Sequence, residues 1–287
     1  MIESTKQAQS TELTAGSGFT YEDRVAGVYL ASLLIESGAP SLDAHIVRRV
    51  SFQQSAFGHP LDDLIIDANA NDGSVAQLSL QIKRSLQIGA GVTNTDFRSV
   101  VTASWDTLSK SDFREGIDRY GCVVDTISAK RLRALRNVCD WARASTDAMH
   151  FASRFASDGP ASAPHRQIKT AIESILVEHT GAKFCNTQLH RFLSHFVAIQ
   201  LNALHEGEAT SPAVVQQLQS ALADSDSGRG KDLWDALLRI ASENRGRAAA
   251  CERPNLLFAL KGRFRFRGSS ALRSDIERVN TLAKDWP

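Results

Sequence analysis

The chain has 287 residues, 43% of them hydrophobic and 23% charged, with a formal net charge of +1. This is the make-up of a soluble globular protein of one large or two ordinary domains. Near-neutral charge excludes a generic polyanion binder, so any nucleic-acid surface must come from local basic clustering.

Four cysteines, Cys122, Cys139, Cys185 and Cys251, stand apart without a C-x-x-C pair. That spacing argues against a zinc site or a disulfide framework and fits a reducing cytoplasm. No apolar stretch is long enough to span a bilayer and no basic segment leads into an N-terminal apolar run, so a cytoplasmic protein away from membranes is expected.

In chain order, residues 1–16 are rich in Ser, Thr, Gln and Glu and read as a flexible tail. Thr20 stands as an N-cap, with Glu22 and Asp23 in the first turn, where acids suit the helix dipole. Tyr21, Val25, Val28, Leu30, Leu33 and Leu34 recur at helical spacing to about Glu36. Gly38, Ala39 and Pro40 then stop the helix. Residues 45–54 read as a strand containing Arg48 and Arg49, which solvent or ion pairs would satisfy.

Residues 61–86 organise the chain. Leu64, Ile65 and Ile66 form a short apolar strand behind Asp62 and Asp63. The stretch 68–74 (ANANDGS) carries the residues of a hairpin connection. In the next run Leu78, Leu80 and Ile82 alternate with Ser79, Gln81 and Lys83, so Gln81 and Lys83 share one face. A carboxylate and an amide oxygen there could hold a hard cation such as Mg²⁺. A lysine nearby could orient a water or hold a phosphate oxygen, which is equipment for phosphodiester hydrolysis. A solvated hairpin with ordinary surface charges is the other reading, because short motifs match by chance.

Residues 87–94 (QIGAGVTN) form a Gly-rich loop without a P-loop or dinucleotide fingerprint, and simple flexibility accounts for it. Residues 96–109 repeat apolar groups at helical spacing, with Trp105 on the buried face. Residues 120–128 are an apolar strand. Residues 129–145 form a basic helix with Lys130, Arg131, Arg133, Arg136 and Arg143 beside a stripe of Leu132, Leu135, Val138 and Trp141. This helix is the candidate phosphate-contacting surface, to be weighed against a solvated charged face.

The small, polar, Pro-containing stretch 156–164 reads as a domain boundary. Helices are expected beyond it over 167–179, 186–204, 213–222 and 232–243, and again over 271–286. His190 and His195 are five apart, poor spacing for a shared metal. Phe264 and Phe266 alternate with Arg263, Arg265 and Arg267, which suits the wing of a small winged-helix-like module.

Three stretches together, Gly18-Phe19-Thr20-Tyr21-Glu22, Leu61-Asp62-Asp63-Leu64-Ile65-Ile66 and Leu80-Gln81-Ile82-Lys83-Arg84, resemble the PD-(D/E)xK restriction-endonuclease-like superfamily. More narrowly they resemble the N-terminal double-stranded DNA endonuclease domain of bacterial antiphage defence effectors. The resemblance implies an α/β fold: a restriction-endonuclease-like core with a mixed central sheet flanked by helices over 17–155. An α-helical, winged-helix-like connector or interaction domain would follow over 165–287.

It also implies a metal-dependent endonuclease acting on double-stranded DNA with Mg²⁺ or Mn²⁺. Asp63 would be the central ligand, because it directly precedes the apolar strand, and Asp62 the second choice, in place of the family's proline. Gln81 stands where the family has Glu or Asp and would offer its amide oxygen. Lys83 would position water or phosphate, Glu22 would complete the metal site, and Arg84, Lys130, Arg131 and Arg133 would contact nucleic acid. Control would come from a homo-oligomer or from a fused or associated sensor or ATPase. A catalytically inactive DNA-binding or oligomerisation module of the same fold is the alternative, favoured by Gln81.

Overall fold

The structure, a computed structural model, describes residues 20–70, 72–203 and 208–267, without the side chains of Asp43 and Ala44. The expected tail over 1–16 and helix over 271–286 lie outside the described residues. The chain begins with α1 (Tyr21–Leu34), β1 (Gly38–Ala39), β2 (Leu42–Phe52), β3 (Leu64–Ala70) and β4 (Val75–Leu86). Next come α2 (Thr95–Leu108), β5 (Arg119–Ile127), α3 (Ala129–Ala144), α4 (Ala148–Ser153) and α5 (Ala163–Thr180). Last are α6 (Asn186–His195), β6 (Phe196–Gln200), α7 (Thr210–Ala221), α8 (Gly230–Gly246), β7 (Ala250–Glu252) and α9 (Arg253–Leu260).

Local chemistry accounts for the first elements. Thr20 accepts from the Asp23 amide at 3.2 Å and Asp23 accepts from the Thr20 amide at 2.9 Å, a reciprocal cap that fixes where α1 starts. The β3–β4 hairpin pairs Leu64 with Leu80 and Ile66 with Leu78. Its turn closes through the Ala70 amide to the Ser74 carbonyl at 2.8 Å, with Gly73 at φ +84°. The helix stop is less abrupt than Gly38 and Pro40 suggest, since Gly38–Ala39 joins the sheet as β1.

Among the described residues the sheet has seven strands in the order β1-β2-β3-β4-β5-β6, with β7 beside β2. Pairing is antiparallel from β1 to β4 and parallel from β4 through β6. One face (Leu64, Ile66, Leu78, Leu80, Ile82, Val123, Ile199) packs under residues of α1, α7, α8 and α9. The other (Tyr120, Cys122, Val124, Phe196, Ala198) packs under α2, α3, α5 and α6. Trp105 sits in this second core against Phe184, at 4.7 Å between rings, so it is a packing residue. Gly27 lets α1 and α8 meet: a Cβ there would lie 2.8 Å from Leu238 and 2.9 Å from Trp234.

Three expectations need correction. Residues 196–200 are not helix but β6, paired in parallel with Tyr120 to Val124 of β5. The stretch 156–164 consequently does not divide the chain into separate bodies. β6 and β7, from beyond it, belong to the same sheet as β2 to β5, and both cores draw residues from either side. Among the described residues the alternation around Phe264 and Phe266 yields a single bridge, Phe266 to Leu222, and Phe264 is buried in the first core. α7, α8 and α9 thus cover the sheet instead of forming a separate winged-helix-like module.

β6 ends the sheet, and its outer edge is closed by α3. Arg136 Nε donates to the Ala198 carbonyl at 2.9 Å and Arg143 donates to the Phe196 carbonyl at 3.0 Å. Guanidinium groups on edge carbonyls block pairing with another chain. The inner side of β6 depends on a bare backbone. Gly121 has φ +156°, and a Cβ there would stand 1.9 Å from the Val197 carbonyl oxygen. Gly121→Ala must therefore push β5 away from β6. We expect a loss above about 4 kcal/mol, read as loss of the cooperative transition in urea; an unchanged midpoint would contradict this role.

Candidate functional site

The expected residues Asp63 and Gln81 meet, and Lys83 lies on their face of the sheet. Asp63 directly precedes β3 and lies one step beyond the Leu64–Leu80 pair, which brings it to Gln81. Gln81 Nε2 donates to Asp63 Oδ2 at 2.6 Å, the Ile82 amide donates to the same oxygen at 2.7 Å, and Gln53 Nε2 donates to Oδ1 at 3.4 Å. Lys83 reaches Asp96, in the first turn of α2, at 3.2 Å. Burial pushes the Asp63 carboxyl above its usual range; the Ile82 amide and Gln81 pull it down, while Asp62 adds to the rise.

This donor set does not fit the Mg²⁺ or Mn²⁺ site expected from the sequence. Gln81 presents its NH₂ to Asp63, and the carboxylate is taken up by three donors. Glu22 rides α1, on the opposite face of the sheet, with its carboxylate 3.3 Å from Arg245. Among the described residues no three His, Cys, Asp or Glu side chains gather as a metal ion would require. Asp62 is half-buried beside Asp63, and its carbonyl accepts from the Gln54 amide at 2.9 Å.

Sequence reasoning missed Gln53, read there as part of the strand over 45–54 although it lies just past the end of β2, and Asp96, legible only as a helix-start acid. The Gly-rich loop after β4 is pinned instead of free. Asn94 donates to the Gln87 and Gly89 carbonyls at 2.7 and 3.0 Å, and Arg98 donates to the Ala90 carbonyl at 3.0 Å.

The basic helix, α3, divides its cations by role. Arg136 and Arg143 serve the β6 edge, and Arg131 donates to Gln167 of α5 at 2.8 Å. Lys130 and Arg133 remain exposed, and neither has a hydrogen bond or ion pair among the described residues. Both lie just past the carboxyl end of β5, where β4 brings the exposed Arg84 alongside. His190 bonds the Ala142 carbonyl at 2.9 Å, and His195 is buried against Glu115 and the Asp118 carbonyl. No described helix is long and apolar enough to cross a membrane.

No family model and no curated protein matches the chain. Solved structures do. The Acinetobacter baumannii Cap4 SAVED/CARF-domain containing receptor with the cyclic trinucleotide 3'3'3'-cAAA is 12% identical at a TM-score of 0.47, covering 86% of this chain and 48% of that one. The Moraxella osloensis Cap4 SAVED/CARF-domain containing receptor is 16% identical at 0.44, over 86% and 48%. The Acinetobacter baumannii receptor with 2'3'3'-cAAA is 11% identical at 0.47, over 90% and 46%. The chain thus spans about half the length of the solved chains it matches.

These names correct the sequence expectation. The similar structures are named as receptors, two of them holding a cyclic trinucleotide, and none is named a nuclease. The assignment to the PD-(D/E)xK superfamily and the double-stranded DNA endonuclease it implied are withdrawn on that finding. Double-stranded DNA as the partner is left without support. What stands is a mixed α/β fold, a central sheet flanked by helices.

The raised Asp63 carboxyl carries a sign. Its folded form binds a proton more readily than the unfolded chain, so ionised Asp63 lowers stability at neutral pH and that cost is relieved as pH falls toward about 4. Asp63→Asn keeps an acceptor for the Gln81 and Ile82 donors. It should melt at or above the parent at neutral pH, with less gain on acidification. Asp63→Ala strands those donors and should cost about 2–4 kcal/mol. Calorimetry across the pH range reads both; a destabilised Asp63→Asn variant would contradict the assignment.

Proposed function

We propose that the chain is the binding portion of a receptor for a short oligonucleotide, held by its phosphates at the carboxyl end of the β4–β5 pair. One observation carries the reading: Lys130 and Arg133, one turn apart, point outward without a hydrogen bond or ion pair among the described residues. The other α3 arginines are committed to β6 and α5. Long cations left without partners are suited to charge-assisted bonds with phosphate oxygens. Ligands of α/β sheets gather at the carboxyl ends of parallel strands, and here Arg84 and the start of α3 stand at that end.

The near-neutral chain as a whole gives no broad field, which favours a small ligand at one cluster over a long polyanion along the surface. In this reading the protein serves an antiphage system in the cytoplasm. A fused segment or an associated effector supplies the response.

The cyclic trinucleotide 3'3'3'-cAAA held by one similar structure supplies the probe. Calorimetric titration should give saturable binding that weakens with salt. Lys130→Glu/Arg133→Glu should weaken it at least about tenfold per lost contact with the melting temperature unchanged. Binding untouched by the double variant, or none at all, would overturn the reading. So would cleavage of the probe or of supercoiled plasmid in Mg²⁺, since a receptor leaves its ligand intact.

A further inference from the structure

A cavity of about 360 Å³ opens between α3 and α5, with Lys130, Arg133, Asn137, Ser162 and His165 in its wall. That volume lies in the range of small-molecule sites, roughly 300–1,000 Å³. Lys130, Arg133 and Asn137 follow one another at i, i+3 and i+7, so they share one stripe of α3. We propose that this cavity seats a single phosphate group, and that Asn137 is held in it as a hydrogen-bond donor by His165. The phosphate follows from the reading above; the donor arrangement follows from local chemistry alone.

His165 is bonded on both ring nitrogens. The Ser162 backbone amide donates to Nδ1 at 3.0 Å, and the Ser162 hydroxyl lies 2.8 Å from the same atom. A backbone N–H can only donate, so Nδ1 carries its lone pair there. Burial holds the His165 ring below the usual histidine range, so at neutral pH it carries one proton. That proton must then sit on Nε2.

The Asn137 side-chain nitrogen stands 3.3 Å from Nε2. An NH₂ facing an N–H would set two donors against each other, whereas the amide oxygen facing it makes a bond. Amide orientation is decided by such partners. Rotated by half a turn so that its oxygen accepts from Nε2–H, Asn137 directs its NH₂ to the cavity. Trp141, 4.6 Å from the His165 ring centroid, backs the ring and limits its rotation.

The cavity then offers the Lys130 ammonium, the Arg133 guanidinium and the Asn137 NH₂, donors of three shapes. A group that only accepts matches them, and a nucleobase edge that mixes donors with acceptors does not. Among acceptor-only groups, phosphate has more oxygens to share among three donors than a carboxylate has.

The test is nuclear magnetic resonance on the whole chain. Long-range ¹⁵N–¹H correlation should show His165 as the Nε2–H tautomer without any ligand; the Nδ1–H tautomer would overturn the donor arrangement. Inorganic phosphate should shift the Asn137 side-chain and His165 ring signals saturably while acetate leaves them in place. Asn137→Asp, equal in size but an acceptor, should weaken the phosphate response more than tenfold with the fold intact. A phosphate response that leaves Asn137 unmoved refutes the seat even if the trinucleotide binds. Phosphate seated here while the trinucleotide fails to bind keeps the seat and refutes the oligonucleotide reading.

Discussion

The close approach of β5 and β6 is the constraint from which the rest follows. It requires a residue without a side chain at position 121, because the Val197 carbonyl occupies the space where a Cβ would stand. With that strand in place the sheet gains a parallel edge from the second half of the sequence. α3 then has a row of carbonyls to close, and Arg136 and Arg143 turn inward to do so. The charges left outside, Lys130 and Arg133, are set by what the helix covers as much as by its own periodicity.

The two halves of the chain are one folded unit for the same reason. Tyr120 is buried with its hydroxyl donating to the Phe192 carbonyl at 2.7 Å, and Arg245 of α8 bonds Asp23 of α1 at 2.9 Å. Each contact ties residues on opposite sides of 156–164. Deleting either half would expose an apolar sheet face, and a face of this size cannot remain in water.

Much of the fold was legible because it is local. The Thr20 cap, the alternation that sets Gln81 beside Lys83, the hairpin turn and the apolar run of β5 all rest on neighbours within a few residues. β6 was not legible: Phe196 to Gln200 extends the apolar pattern of α6, and a short apolar run does not declare itself strand or helix. Its partner lies some seventy residues earlier, which no local pattern encodes. The Pro- and Gly-bearing stretch before α5 is a surface connection, and composition does not separate such a loop from a linker.

The candidate site was only partly legible. Alternation and hairpin register bring Asp63 to Gln81, but residue types alone could not say that the amide would face the carboxylate with its NH₂, nor that Glu22 would ride the other face. Arg131, Arg136 and Arg143 look like Lys130 and Arg133 in sequence, and only the packing of α3 against β6 and α5 tells them apart. Amide hydrogen exchange across β5 and β6 tests this architecture most directly. Outer and inner strands should exchange as one cooperative unit, with Val197, Ile199 and Leu201 as protected as Cys122 to Val124. Fast, independent exchange over Val197 to Leu201 would mean that β6 does not belong to the sheet, and the placement of α3 and its outward cations would fall with it.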